Sequence, residues 1–246
     1  MSNPQENAKV AGPLAPSLAI LQDMDPKWAS VARLVSDSPW TSGVLTRKFV
    51  ELVSFGINVA CTNLNAEGSR RHLRAALDEG ASHEEILFVV KCASVMAIHS
   101  CSLAAPILLE EAKAAGVGLA AKPPVSTPAC DRMKAIGQWN AAWDPFFAID
   151  PMWTDEFMAM GANIYGGGIM PPKEVELLSI AFDASFTHMY APGTRRHIQN
   201  ALKAGASIEE IFEVLKICVA QGMQATNLGA AILREELASR TEATGR

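Results

Sequence analysis

Two stretches of this chain are nearly the same: "GSRRHLRAALDEGASHEEI" at residues 68–86 and "GTRRHIQNALKAGASIEEI" at residues 193–211. Shifting the chain against itself by 125 positions (197 − 72) aligns residues 24–111 with residues 149–236 without a gap. About a third of the aligned positions are identical. Self-similarity over so long a span indicates a structural unit that has been duplicated. The sequence therefore predicts two tandem repeats with the same fold.

Each repeat has the pattern of an all-α protein. Apolar residues recur at helical spacing in "TRKFVELVSFGINV", and "PPKEVELLSI" opens with prolines that suit a first helical turn. We expect Ser69 and Thr194 to cap the next helices, and Gly80 and Gly205 to end them. The "SHEE" and "SIEE" stretches that follow are capping boxes, each opening a long apolar helix. No alternating β pattern of any length is present in the sequence, so the prediction is helical hairpins.

Composition divides the rest of the chain. The Pro- and Ala-rich start predicts a loose segment, and an Ala-, Gly- and Pro-rich stretch predicts a linker between the repeats. A helix with Trp139 and Trp143 on one face is expected to follow the linker. The predicted boundaries are 1–23 for the loose segment, 24–111 for the first repeat, 112–131 for the linker, 132–148 for the connecting helix, 149–236 for the second repeat and 237–246 for the tail.

Charge and composition narrow the function. A net charge of −5 without any extended basic run argues against a nucleic-acid partner. Lys91 divides the longest apolar runs, which fall short of the roughly 20 residues that cross a membrane, and no secretion signal is recognised, so we expect a cytoplasmic protein. The five cysteines form no C-x-x-C pair and match no zinc pattern, so we expect reduced thiols and no metal.

The paired arginines of each motif are candidate substrate ligands. Arg70 and Arg71 in the first repeat, like Arg195 and Arg196 in the second, are expected in a first helical turn, where cations oppose the helix dipole unless an anion lies nearby. That anion is either a glutamate of this chain or the carboxylate of a substrate, for which the planar guanidinium is a two-pronged donor.

The histidines and glutamates are candidate catalytic residues. His72 and His197 would be neutral near a helix start and able to accept a proton, although a structural hydrogen-bonding role is the alternative. Glu51 and Glu176 lie in the apolar runs "VELV" and "VELL", so each is either an ion-pair partner or a group poised for proton transfer. His188 is a further candidate acid or base, or else a surface histidine.

Taken together, these residues resemble the carboxymuconolactone decarboxylase family, which includes the alkyl-hydroperoxidase-D-like proteins. The resemblance is carried in both repeats by a shared H-x-x-x-A-x-x-x-G-x-S-x-E-E pattern. Its members here are His72, Ala76, Gly80, Ser82, Glu84 and Glu85, and then His197, Ala201, Gly205, Ser207, Glu209 and Glu210.

The resemblance implies an all-α fold of helical hairpins that assemble six around a ring, so that two repeats per chain would form a trimer. The redox branch of the family carries a C-x-x-C pair, which is missing where this chain reads "CTNLNAEG" and "FTHMYAPG". The decarboxylase branch uses the motif histidine and needs no metal or organic cofactor. The aromatic-Ala-Gly-x-Pro stretch of many members is replaced here by "VMAIHS" and "VAQGMQ", which leaves the substrate open.

The resemblance thus predicts a cofactor-independent lyase or isomerase for a small carboxylated lactone or muconate-type product of aromatic catabolism. A lactone or ester hydrolase, a thiol peroxidase and a non-catalytic ring-forming scaffold are the alternatives. The two halves differ where a pocket is expected, so either one site has lost catalysis or the halves form one composite site.

Overall fold

The computed structural model of this chain describes residues 12–244, with side chains described to residue 242. All regular structure in this range is helical, and no strand occurs within it, as the sequence predicts. The α-helices are α1 (Leu18–Met24), α2 (Pro26–Thr41), α3 (Arg47–Val59), α4 (Ala66–Asp78), α5 (His83–Val95), α6 (His99–Ala114), α7 (Pro128–Ala135), α8 (Asp144–Ile149), α9 (Pro151–Tyr165), α10 (Pro172–Ala184), α11 (Ala191–Lys203), α12 (Ile208–Ala220) and α13 (Met223–Thr244). Two 3-10 turns are Met96–Ile98 and Ala141–Trp143.

The duplication is visible helix by helix. Helices α2 to α6 recur in the same order as α9 to α13 at the 125-residue interval, and α1 corresponds to α8. Both capping boxes form: the Ser82 and Ser207 hydroxyls accept from the backbone amides of Glu85 and Glu210, whose carboxylates accept from the serine amides in return. Gly80 follows its helix in the left-handed conformation (φ 84°), which disfavours side chains with a Cβ and lets the chain turn.

The core lies around α3 and α10, the most deeply buried helices. All of α3 from Phe49 to Asn58 and all of α10 from Val175 to Asp183 are buried, and the two helices pack on each other. The repeats also exchange contacts, because α2 packs on α12 and α9 packs on α5. The Thr62 and Thr187 hydroxyls, which occupy the same position of the two repeats, lie 3.3 Å apart on the resulting pseudo-twofold axis. Each repeat therefore completes its core with helices of the other.

The expected loose start is wrong for the part that the structure describes. Residues 1–11 of that segment lie outside the described residues, but the rest packs on the body: Leu14 is only 1% exposed and the Pro13 carbonyl accepts hydrogen bonds from Arg71 and Asn227. This segment corresponds to residues 137–149 in the second repeat. The duplicated unit therefore begins earlier than residue 24, because the chain before α2 is hydrogen-bonded to Arg71 of α4 and Asn227 of α13.

The single connecting helix expected over residues 132–148 is also wrong. Helix α7 ends at Ala135, the chain turns at Gly137 with φ 70°, and helical structure resumes only at residues 141–149. Trp139 lies in the interruption, and its ring meets Trp143 edge to face at 5.5 Å. A positive φ cannot continue an α-helix, so the expected i, i+4 pair becomes a turn contact.

One helical segment is more apolar than the sequence pattern suggested. Within the described residues, His83–Ala114 is long and apolar enough by length and composition to cross a membrane, in contrast to the expectation above. Core helices of soluble proteins pass the same test. Here the 3-10 turn Met96–Ile98 divides the segment into α5 and α6, and α5 packs against α3 and α9. The apolar residues of α5 therefore serve helix packing, whereas Leu103, Ile107 and Leu108 of α6 are exposed.

Candidate active site

The structure brings each motif histidine onto a buried glutamate of the neighbouring helix. His72 on α4 lies with Nδ1 2.7 Å from Glu51 Oε2 on α3, and His197 on α11 lies with Nδ1 2.6 Å from Glu176 Oε2 on α10. All four residues are at most 5% exposed. The helix pairs α3–α4 and α10–α11 thus hold two equivalent imidazole–carboxylate pairs about a pseudo-twofold axis.

Hydrogen bonding assigns the protonation state of both rings. The carboxylate can only accept from Nδ1, and the neighbouring guanidinium can only donate to Nε2, with Arg71 Nη2 at 3.2 Å from His72 and Arg196 Nη2 at 2.9 Å from His197. Burial lowers the pKa of His197, and the charge of Arg196 adds to this while the glutamate opposes it. The ring is therefore neutral, with the Nε2 lone pair directed at the arginine side.

The glutamates stay ionised despite their burial. Burial alone would raise the pKa of Glu176, but the hydrogen bond from His197, the amide of Gln138 and the charge of Arg196 bring it below its ordinary value. Gln138 Nε2 donates to Glu176 Oε1 at 3.1 Å. An anion held against a neutral imidazole can stabilise that ring when it takes up a proton.

The helix starts differ from the sequence prediction. Ser69 and Thr194 are not N-caps, because α4 begins at Ala66 and α11 at Ala191; the Asn65 side chain accepts from the Gly68 amide instead. The Arg-Arg-His motifs therefore lie in the second helical turn, where the dipole field is weak. Burial, not the helix dipole, is the main cause of the lowered pKa of His72.

Only one arginine of each pair reaches its site. Arg70 and Arg195 are exposed on the outer faces of their helices, whereas Arg71 and Arg196 turn inward. Arg196 Nη1 donates to the side-chain oxygen of Gln138 at 3.0 Å, and its guanidinium lies over the Trp143 ring at 5.6 Å. Its Nε–H is buried without a hydrogen-bond partner among the described residues. Arg196 thus keeps a donor available for a bound anion.

A partly enclosed cavity of about 50 Å³ lies beside His197 in the second repeat. Its walls are mostly apolar, and its polar lining from the second repeat consists of Tyr165, Ser179, Asp183, Arg196 and His197. The first repeat contributes Cys92, Met96 and His99 from the end of α5 and the turn into α6. The site is therefore composite, assembled by both halves of the chain. Because burial raises the pKa of the Cys92 thiol to about 12, a reactive thiolate is not favoured there.

Three further titratable groups lie at one edge of this cavity. His99 Nδ1 is 2.6 Å from His188 Nε2 and 3.5 Å from Asp183 Oδ1, and Asp183 Oδ2 lies 3.7 Å from His197 Nε2. The Tyr190 ring stacks on His99 with centroids 4.0 Å apart. Burial raises the pKa of Asp183 to about 7, and burial together with the charges of His188, His197 and Arg196 lowers the pKa of His99 to about 3.

The first repeat fills the corresponding space with neutral side chains. Asn58 occupies the position of Asp183, and its Nδ2 donates to Gln221 Oε1 at 2.7 Å, with both residues fully buried. Glu51 accepts two further donors, Trp40 Nε1 at 2.7 Å and Arg47 at 2.8 Å. The two sites therefore share the imidazole–carboxylate pair and its arginine, and differ in the other side chains around the glutamate and at the position of Asp183.

Sequence reasoning missed Asp183 and Tyr165. Asp183 lies in the buried run "IAFDAS" of α10, aligned with Asn58 in "FGINVA". An acid inside an apolar helical run is the same signal that selected Glu51 and Glu176, so it was available. Tyr165 stacks on His197 at 6.3 Å from the end of α9, a contact that only the tertiary fold creates.

Comparison with known proteins agrees with this architecture. Residues 151–235, the second repeat, match the model of the carboxymuconolactone decarboxylase family. A crystal structure of a Burkholderia xenovorans LB400 protein, provisionally described as a gamma-carboxymuconolactone decarboxylase subunit, is similar at a TM-score of 0.84 and 29% identity, covering 92% of each chain. No curated protein matches the chain. The similarity to the solved structure extends over both repeats.

Proposed function

We propose that this chain, whose second repeat matches the carboxymuconolactone decarboxylase family model, is a lyase or isomerase for a small carboxylated lactone or muconate-type compound from aromatic catabolism. The proposal places the reaction in the cavity beside His197. The observation that carries it is the Glu176–His197–Arg196 set, which opens into a cavity with apolar walls. A cavity with a few convergent polar groups is typical of a small-molecule site.

The charged end of the cavity suits a carboxylate. Arg196 lines the cavity and retains a buried Nε–H without a partner among the described residues, so an anionic oxygen can accept from it. The free volume of about 50 Å³ admits a group of a few atoms. A whole lactone therefore requires the flexible side chains of Met96 and Met158 to move, as thioether chains do readily.

The neutral ring of His197 suits proton transfer at carbon. In an isomerisation, Nε2 takes a proton from the carbon next to a carbonyl and returns it at another position. In a decarboxylation, His197 Nε2 first takes up a proton from solvent. The bond to the carboxylate carbon then breaks, carbon dioxide leaves, and the electron pair left on the ring carbon takes that proton, which returns His197 to its neutral form. In either case Glu176 stabilises the transient imidazolium.

The test compares the two repeats. Carboxymuconolactone-type lactones and muconates are offered to the purified protein, and turnover is followed by the change in ultraviolet absorbance, with released carbon dioxide measured in parallel. We expect His197→Gln to lower turnover by about 10²- to 10⁴-fold, the usual contribution of general acid–base catalysis, and the matched His72→Gln variant to retain it. Undiminished turnover in His197→Gln, or its loss only in His72→Gln, contradicts the proposal.

The arginines provide a second matched pair. Arg196→Ala is expected to weaken binding of a small dicarboxylic acid, measured by calorimetry, because it removes the inward guanidinium. Arg195→Ala removes an exposed one and is expected to leave binding unchanged. Equal losses in both variants would mean that the acid binds on the outer face of α11.

The proposal includes a cytoplasmic protein that assembles as a trimer of two-repeat chains. Support for assembly comes from an exposed apolar strip on α2 and α12, formed by Leu34, Val35, Phe212 and Val219. Leu215, which is half-buried against the core, lies at its base. An exposed apolar groove of this kind marks a protein contact more often than a solvated face.

A further inference from the structure

Three potential metal ligands meet at the edge of the cavity from separate parts of the chain. His99 begins α6 of the first repeat, Asp183 lies near the end of α10, and His188 is in the loop before α11. Their side-chain donor atoms all lie within 4.8 Å of one another. Two imidazoles and one carboxylate are the donor set that binds borderline divalent ions such as Zn²⁺ and Fe²⁺ at sites with open coordination positions.

The distances between the donor atoms are close to those of a metal site. Ligand atoms about 2.1 Å from a tetrahedral ion lie about 3.4 Å from one another. His99 Nδ1 and Asp183 Oδ1 are already 3.5 Å apart. His99 Nδ1 and His188 Nε2 are 2.6 Å apart, held by one shared proton, and must separate by less than 1 Å. His188 lies in a loop and is only half-buried, so this movement is small.

Hydrogen bonding leaves a lone pair available for a cation. His99 Nδ1 and His188 Nε2 share one hydrogen bond, so one of these two nitrogens must accept and its ring carries a lone pair. Arg196 is the nearby positive charge, and its own ionic neighbour Glu176 offsets it.

Asp183 lacks the partners that a buried carboxylate normally has. It is 2% exposed, and its Oδ2 has no hydrogen-bond partner within the described part of the chain. An unpaired buried carboxylate is costly, and pairing or metal coordination is how proteins normally compensate for it. A cation between Asp183 and the two imidazoles would supply the missing charge.

The first repeat provides an internal comparison. At the 125-residue interval, Asp183, His188 and His99 correspond to Asn58, Asn63 and Gln224. All three ligands are thus replaced by amides of similar shape, which are poor ligands for these metals, and the amide of Asn58 is bonded to Gln221. The two repeats therefore differ at these three positions in the ability to bind a metal more than in side-chain size.

We propose that His99, Asp183 and His188 form a binding site for a divalent first-row transition metal ion. The site goes beyond the proton transfer proposed above and does not depend on it. His99 and Asp183 line the same cavity as His197, so the ion would lie within reach of a ligand bound there. An ion there can hold a carboxylate or carbonyl oxygen of the same small acids.

Metal binding is tested without any assay of activity. The full chain is treated with a chelator and dialysed, then titrated at pH 7.5 with Zn²⁺ by calorimetry and with Co²⁺ by visible absorption. We expect one ion per chain with a Kd in the micromolar range or below, and a cobalt spectrum without the sulfur-to-metal band that Cys61 would give. The variants are Asp183→Asn, His188→Asn and the triple variant that adds His99→Gln. The triple variant carries the amides that the first repeat already accommodates.

His83→Asn is the matched control, because His83 is exposed at the start of α5, away from the site. We expect it to bind as the unaltered chain does, each single variant to bind at least 10-fold more weakly and the triple variant to show no stoichiometric binding. His188→Asn changes a loop residue, so it keeps the test valid if the buried variants fail to fold. The proposal is overturned if the unaltered chain binds neither ion at a one-to-one ratio, or if His188→Asn binds as tightly as His83→Asn.

Discussion

The sharpest prediction concerns the two buried glutamates, which occupy the same position of the two repeats. Glu176→Gln and Glu51→Gln replace a carboxylate by an amide of nearly the same shape and leave the packing intact. Each removes the acceptor that holds a histidine Nδ1–H, at 2.6 Å from His197 and at 2.7 Å from His72. We expect the two variants to lose similar stability and very different activity.

The stability loss follows from the hydrogen bonds. A bond to a buried charged group contributes about 1.5 to 3 kcal/mol. An amide that donates to Nδ1 forces the other tautomer, whose Nε2–H then faces Arg196 Nη2 at 2.9 Å and leaves one buried donor without an acceptor, at about 1 to 3 kcal/mol. The sum, about 2.5 to 6 kcal/mol, includes the roughly 3 to 5 kcal/mol that a broken buried ion pair costs. Glu51→Gln is expected to cost at least as much, because Trp40 and Arg47 also donate to Glu51.

The activity loss is expected in one variant only. The changed tautomer removes the Nε2 lone pair of His197, so Glu176→Gln should lower kcat by about 10³-fold, equivalent to about 4 kcal/mol of activation free energy. Glu51→Gln should stay within about tenfold of the unaltered chain, since His72 does not line the cavity. Urea unfolding followed by circular dichroism gives the stabilities. Full turnover in Glu176→Gln, with its stability lowered as expected, would refute this assignment of the base.

Three further outcomes are expected. Leu14→Ala should lower the free energy of unfolding by about 2 to 4 kcal/mol in a urea titration, because Leu14 is 1% exposed. An unchanged unfolding midpoint would mean that the segment around Leu14 does not stabilise the fold. Asp183 has a folded-state pKa of about 7 against 3.8 unfolded, so the stability of the unaltered chain relative to Asp183→Asn should fall by on the order of 4 kcal/mol as pH rises from about 4 to 7; parallel curves for the two proteins would contradict it. Leu34→Glu, in the exposed strip on α2, should convert a trimer to single chains in light scattering, whereas an unaltered mass would place the interface elsewhere.

Much of the fold could be predicted from the sequence because its signals are local. The capping boxes at Ser82 and Ser207 and the turn glycines Gly80 and Gly205 act within one helical turn, and all of them form as expected. The duplication doubled each signal, so that a pattern in one repeat could be checked against the other. Agreement among such local signals is what allows a helical fold to be predicted from its sequence.

The errors came where tertiary contacts override local preference. Ser69 is a good cap by residue type, but α4 starts three residues earlier, because Asn65 caps it and Gly68 packs so closely against Asn58 that a Cβ there would overlap the amide. The chain from Gly12 looked loose by composition, yet it becomes ordered since Leu14 is buried and Arg71 donates to the Pro13 carbonyl. Neither contact has a signature within its own stretch of sequence.

The candidate site was half predictable for the same reason. The imidazole–carboxylate pairs could be inferred because each repeat contains both members, whereas the cavity exists only where the end of α5 and the start of α6 meet α10 and α11 of the other repeat. Crossed packing about a pseudo-twofold axis generates two equivalent positions of this kind, one in each repeat. The side chains at the two positions differ. One carries Asn58 and Gln221, which share one hydrogen bond and each keep one buried amide atom without a partner among the described residues. The other carries Asp183 beside two histidines, with one carboxylate oxygen unpaired in the same described range. A buried neutral amide atom without a partner costs less than an unpaired carboxylate, so the second repeat holds the costlier arrangement. Keeping that cost in one copy of a duplicated fold fits the proposal that the second site carries the chemistry.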